Sequence, residues 1–187
     1  MQKDPYFILA KYYPQESEAY KILVGHSEAV MQKAVKIAAA YQKKHSREKI
    51  DFNLVREGAL LHDIGSCMTS HHILGKKDGK PYIWHGVLGR EILEKENLPK
   101  HALIAERHIG VGITKEEIIK QKLPLPKRDM IPETIEEEIV TYADCFFSKK
   151  PELLEREESS EEIKVELSHF GKEKVKKFEQ WMKKFGL

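Results

Sequence analysis

The chain is poor in cysteine and in tryptophan, and it has almost no excess of charge. Two cysteines, Cys67 and Cys145, lie far apart in 187 residues and form no CxxC pair. That excludes a disulfide framework and, with no signal-peptide pattern at the start, points to a reduced, cytoplasmic setting. Thirty-two Lys and Arg stand against thirty Asp and Glu, for a net charge of +2. Proteins devoted to nucleic acid carry a stronger basic excess, so no nucleic-acid partner is expected. No apolar run approaches the ~18 residues a membrane span requires, so no membrane association is expected either. Repeats and low-complexity linkers are lacking, and eleven glycines and eight prolines only punctuate the chain. What remains is enough apolar residue, 41%, for a single domain over residues 1–187.

Clean alternation with period two is also lacking. Apolar spacing is helical almost throughout. A helix is expected from Pro14 to about Gly25, and a second from His26 to Lys44. On the second, His26, Val30, Ala34, Ile37 and Tyr41 share a face. Asp51 reads as the N-cap of a third helix that carries Val55 and His62 inward and ends at Gly65 as a C-terminal glycine. A polar insertion, Ser66 to Pro81, follows. Further helices are expected from Trp84, with His85, Leu88, Gly89 and Ile92 on one face, and from Pro99, with Ile104 and His108 four apart. Thr114-Lys-Glu-Glu117 and Thr134-Ile-Glu-Glu137 read as capping boxes. The second opens a helix with Ile139, Ala143 and Phe146 inward and Asp144 on the shoulder of that face. A C-terminal helical extension, 159–187, presents Val175, Phe178, Met182 and Phe185 on one face, suited to packing on the bundle or to a homodimer contact.

Six polar residues sit at or beside these apolar faces: His26, His62, Asp63, His85, His108 and Asp144. Burying so many polar groups without a common partner is costly. Imidazole nitrogen with carboxylate oxygen suits borderline and hard divalent ions, and the absence of cysteine from the set argues against a structural zinc knot. Adjacent helical residues point about 100° apart, but at a helix end His62 and Asp63 can both turn toward one ion. Asp63 has two oxygens and can bridge two ions, which makes it the candidate catalytic residue.

His26, then His62-Asp-Ile-Gly65, then Asp144, in that order on helices, resembles the HD superfamily of metal-dependent phosphohydrolases in its HDIG variant. The likeness runs from about Gly25 to Ser148. Trp84-His85-Gly86 and Arg107-His108 are similar to the extra histidines of the subgroup that holds two metals, which includes the YqeK-type diadenosine tetraphosphate hydrolases. The resemblance implies an all-α bundle with its core at 25–148 and the metal site inside. It implies hydrolysis of a nucleotide or other small phosphoester, with two divalent ions drawn from Fe, Mn, Mg, Co or Zn. His26, His62, Asp63 and Asp144 are expected around one ion, and His85, His108 and a bridging Asp63 around the other. A symmetric dinucleoside polyphosphate hydrolase and a metal-dependent nucleotide sensor are the alternatives. Phosphate also calls for cations and free backbone N–H groups, for which Arg107, Arg128 and Gly110 are the candidates.

Overall fold

The computed structural model describes residues 4–150, 153–154 and 156–186. Nine α-helices appear among them: α1 (Pro5–Tyr12), α2 (Glu18–Lys44), α3 (Phe52–Leu61), α4 (His85–Lys95), α5 (Pro99–Arg107), α6 (Lys115–Lys120), α7 (Ile135–Asp144), α8 (Ser160–Ser168) and α9 (Lys172–Phe185). Only isolated bridges, such as Ile113 with Met130, represent β structure among these residues. The fold is all-α, as the spacing predicts.

Local chemistry explains most of the boundaries. Ser17, Asp51, Thr114, Thr134 and Ser159 each accept a backbone N–H in the first turn of the helix they precede, which satisfies one of its orphan donors. The box is reciprocal at Thr114 and Ser159. At Thr134 only half of it forms. Glu137 instead accepts from the backbone of Glu133 and from Arg107.

Three expectations need correction. The first predicted helix and the second are one: α2 runs unbroken through Gly25, because Leu23, His26 and Val30 on both sides are fully buried and that packing outweighs the modest cost of a helical glycine. The second is that helix begins before Pro14, where the spacing predicts none: α1 is capped by Asp4 and anchored by buried Ile8 and Leu9. The third correction concerns Gly65. Helix α3 stops at Leu61, a 3-10 turn (Ile64–Met68) follows, and Gly65 lacks the left-handed backbone of a capping glycine. Its role is close approach: a Cβ there would lie 2.1 Å from the carbonyl oxygen of His85 and 2.3 Å from the nitrogen of Gly89.

Two apolar cores meet inside the bundle. One gathers Val30, Ala34, Val55, Ala59, Ile104, Ile139, Ala143 and the aromatic side chains of α9. The other gathers Ile8, Leu9, Leu23, Leu61, Ile64, Ile92 and Ala105. Along α2, Leu23 belongs to one and Val30 to the other, with His26 between them; along α3, Ala59 and Leu61 flank the same divide just before His62. The polar residues therefore lie on a seam. Phe178, Trp181 and Phe185 seal α9 onto the first core, which is the packing role expected of that face. No helix of the described residues is long and apolar enough to cross a membrane.

Candidate metal centre

All six polar residues converge. His26 projects from the middle of α2. His62 and His108 sit at the C-caps of α3 and α5, His85 opens α4, and Asp144 closes α7. Helix ends supply more than position. The last carbonyls of a helix have no intrahelical partner, and here they anchor the rings. His62 donates Nδ1–H to the Ala59 carbonyl at 2.6 Å and His108 to the Ala105 carbonyl at 2.8 Å. His85 does the same to the Tyr82 carbonyl at 2.8 Å. A ring whose proton is spent at Nδ1 carries its lone pair at Nε2, the arrangement of metal-binding histidines. Each of these rings turns Nε2 inward.

The inward atoms form two groups that share Asp63. In the first, His26 Nε2 lies 3.0 Å from Asp144 Oδ1 and 3.4 Å from Asp63 Oδ2; His62 Nε2 lies 3.2 Å from each. The two rings are 3.3 Å apart at Nε2. In the second, Asp63 Oδ1 lies 3.5 Å from His85 Nε2 and 3.4 Å from His108 Nε2, and the two nitrogens are 3.0 Å apart. Donors about 2.1 Å from one ion are separated by about 3.0 Å at an octahedral edge and about 3.4 Å at a tetrahedral one. The spacings observed here suit a divalent cation. His26, His62 and Asp144, and likewise His62, Asp63 and His108, each form a set of donors close enough for one ion.

The electrostatics agree. Burial pushes His85 down to about 3, so it is neutral and its Nε2 lone pair meets the His108 ring with no proton of its own. Burial also opposes charge on Asp63 and Asp144. The Lys149 ammonium and His62 outweigh that penalty and hold both carboxyls well below the usual range. For His62, burial favours the neutral ring, but Asp63 and Asp144 lift it to about 10; a divalent cation at Nε2 would displace the proton those carboxylates attract. Two buried carboxylates facing four imidazoles thus draw in positive charge wherever they can. Divalent cations supply it in a form the ring lone pairs accept.

Lys149 was missed by sequence reading. Its Nζ lies 2.8 Å from Asp63 Oδ2 and 3.9 Å from Asp144 Oδ1, and it lines a cavity of about 430 Å³ that opens off His85, His108 and Asp144. One lysine among thirty-two basic residues carries no local signal; only its place five residues beyond Asp144 hinted at it. Tyr82, which stacks on His85 with ring centroids 4.6 Å apart, was missed for the same reason.

The phosphate candidates divide. Gly110 lines the cavity with a left-handed backbone, φ 60°. Arg107 and Arg128 are not brought to it. Arg107 pairs with Glu137 at 2.9 Å and Glu133 at 3.0 Å. Arg128 turns to buried Glu106, which it shares with Arg90. Buried carboxylates on the bundle's own helices compete for these guanidinium groups more strongly than an open cavity does.

Residues 23–148 match the HD domain family model, and the chain belongs to that family. An uncharacterized protein of Methanocaldococcus jannaschii, MJ0778, is 45% identical over 134 residues, 70% of each chain. Two proteins named tRNA (cytidine(56)-2'-O)-methyltransferase are each 39% identical: that of Picrophilus torridus over 75% of this chain and that of Thermoplasma volcanium over 67%. The match spans only 38% and 32% of their lengths, so their name describes much longer proteins. The HD domain of the L. monocytogenes phosphodiesterase PgpH has the same fold, with TM-score 0.51 and 18% identity over 95% of this chain and 94% of that one. The complex of that domain with cyclic-di-AMP also gives a TM-score of 0.51.

Proposed function

We propose that the chain is a metal-dependent phosphohydrolase with two divalent ions, held by His26, His62, Asp63 and Asp144 on one side and by His85, His108 and Asp63 on the other. One observation carries this reading: the two oxygens of a single buried carboxylate face two separate pairs of imidazole Nε2 atoms. An isolated structural site needs no such shared ligand. Divalent ions bound there supply the Lewis acidity that activates water and neutralises phosphoryl oxygens.

The chain's own groups do the rest. Backbone carbonyls of Ala59, Tyr82 and Ala105 fix three rings, so no ring need reorient when substrate arrives. The two apolar cores bury the seam, leaving His26, His62 and Asp63 at 0% exposure. Lys149 stands between that cavity and the carboxylates, placed to hold a non-bridging phosphoryl oxygen as substrate enters. The cavity then receives the organic part of the ester.

HD family membership supports hydrolase chemistry. The solved complex of a similarly folded phosphodiesterase domain with cyclic-di-AMP supports trying nucleotides first, with symmetric dinucleoside polyphosphates second. The methyltransferase relatives do not redirect the reading, since the segment they share with this chain is a third or so of each.

The test is elemental analysis of anaerobically purified protein, followed by phosphate release from a nucleotide and phosphoester panel with Mn, Fe, Mg, Co or Zn. Two ions per chain and turnover that vanishes in His62→Ala are expected. Metal and nucleotide binding with no phosphate release under any of these ions would make the chain a sensor and remove the hydrolase reading.

A further inference from the structure

The cavity extends well past the metal centre, and its outer wall comes from α8 and the start of α9, beyond the residues that match the family model. Its charge is unevenly placed. Lys149 and Lys174 are the basic residues among those that line it. Lys149 belongs to the inner end, beside Asp63. Lys174 is consumed: its Nζ lies 2.6 Å from Glu117 Oε1 and donates to the Gly112 carbonyl at 2.6 Å. Exposed Glu166, on α8, also lines it. Besides Lys149 and the metal ligands, the charged groups among the described lining residues are thus two carboxylates, Glu117 and Glu166, and one neutralised ammonium. The same wall presents Phe170, 63% exposed, and Phe147 lines the cavity nearer the centre. A large aromatic left open to solvent at the mouth of a pocket is a surface for a flat apolar ligand.

We infer that this outer wall selects a small phosphomonoester with one ring-bearing organic arm, stacked on Phe170, and rejects polyphosphates and dinucleotides. The inference rests on the hydrolase reading for the place of the phosphoryl group. A phosphoryl group at the centre leaves the arm nowhere to run but along apolar side chains toward Phe170. A second or third phosphate on that path would meet Glu166 with no unpaired cation among the described lining residues to receive it, and like charge weighs against its binding. At about 430 Å³ the cavity is toward the small end of the roughly 300–1,000 Å³ of ligand sites, which suits one arm rather than two.

Binding of inert phosphonates decides the matter without turnover. Titration calorimetry of the Mn-loaded full chain should show phenylbutylphosphonate, whose ring can reach along the cavity, binding about tenfold tighter than butylphosphonate, the scale of one aromatic contact. In Phe170→Ala that ratio should fall to about twofold, and Phe170→Tyr should restore it. Equal affinities in the wild type, or a ring preference that survives Phe170→Ala, would overturn the assignment. In turnover, kcat/KM for a nucleoside monophosphate should exceed that for the triphosphate, and Glu166→Lys should narrow the gap several-fold; a wild-type preference for the triphosphate refutes the anionic rim. A ring preference without phosphate release from any ester would keep this pocket and discard the hydrolase reading, while release without ring preference would do the reverse.

Discussion

Gly65 and Gly25 make a paired experiment with opposite signs. Each is replaced by alanine, and a single methyl is added. At Gly65 that methyl would sit 2.1 Å from the His85 carbonyl oxygen, 2.3 Å from the Gly89 nitrogen and 2.9 Å from the Gly89 Cα. All three are backbone atoms of α4, so no side chain can swing away. Relief requires α4 to back off by about 1 Å, against a close-packed interior that resists compression. Overpacking of this kind costs about 3 kcal/mol, at the upper end of its usual range. For a chain of this size each kcal/mol moves Tm by about 2–4 °C, so a fall of about 6–12 °C is expected. Because α4 begins at His85, the same shift draws His85 away from His108 and from Asp63 Oδ1, and metal held at that pair of rings should be lost. At Gly25 a Cβ meets nothing within 4 Å, inside a continuous exposed face of α2. Gly25→Ala should therefore stabilise by about 0.5–1 kcal/mol. Thermal melts with and without Mn, and metal content by mass spectrometry, read both effects. Should Gly65→Ala melt with the wild type and retain both ions, the close contact between the HDIG turn and α4 does not organise the site.

His85→Ala should lose about one ion per chain while the first group, built on α2, α3 and α7, retains its own; unchanged metal content would reduce the centre to a single ion. Adding metal at about 100-fold over Kd should raise stability by about 2.7 kcal/mol, seen as a higher Tm that chelator reverses, and no shift would leave the six residues as a purely hydrogen-bonded cluster. Glu106 is 1% exposed and held by Arg90 and Arg128. Converting both arginines to methionine strands a buried carboxylate and should cost about 3 kcal/mol or more, and Glu106→Leu in that background should recover much of it in a denaturant titration. For Glu138, burial favours the neutral acid, but Lys184 and Lys177 outweigh it and hold the carboxyl below its ordinary 4.5. A folded value below the unfolded one stabilises above about pH 4.5 and loses that contribution as the pH falls through the depressed value. Acid denaturation should therefore be shallower in Glu138→Gln, and identical slopes would show that these pairs do not help dock α9.

How much of the site could be read in advance depended on residue type. A histidine or aspartate on an apolar helix face is anomalous wherever it occurs, so His26, His62, Asp63, His85, His108 and Asp144 all stood out, and the structure brings all six together. Lysine and arginine are common on surfaces and carry no such mark. Hence Lys149 went unnoticed beside Asp63, while Arg107 and Arg128 were expected at a cavity from which Glu137 and Glu106 hold them away. Proximity along the chain to His108 could not reveal a carboxylate thirty residues further on.

Helix formation was a local matter. Capping side chains, the 3.6-residue spacing of apolar positions and the N1 proline of α5 set where most helices begin, and these effects act within one or two turns. What Gly65 is for, why α2 passes through Gly25, and which cations reach the cavity are questions of packing between segments far apart in sequence. Such packing is decided by which backbone and which charge come nearest in space, and the linear order of residues does not encode those distances until the two apolar cores have closed on one another.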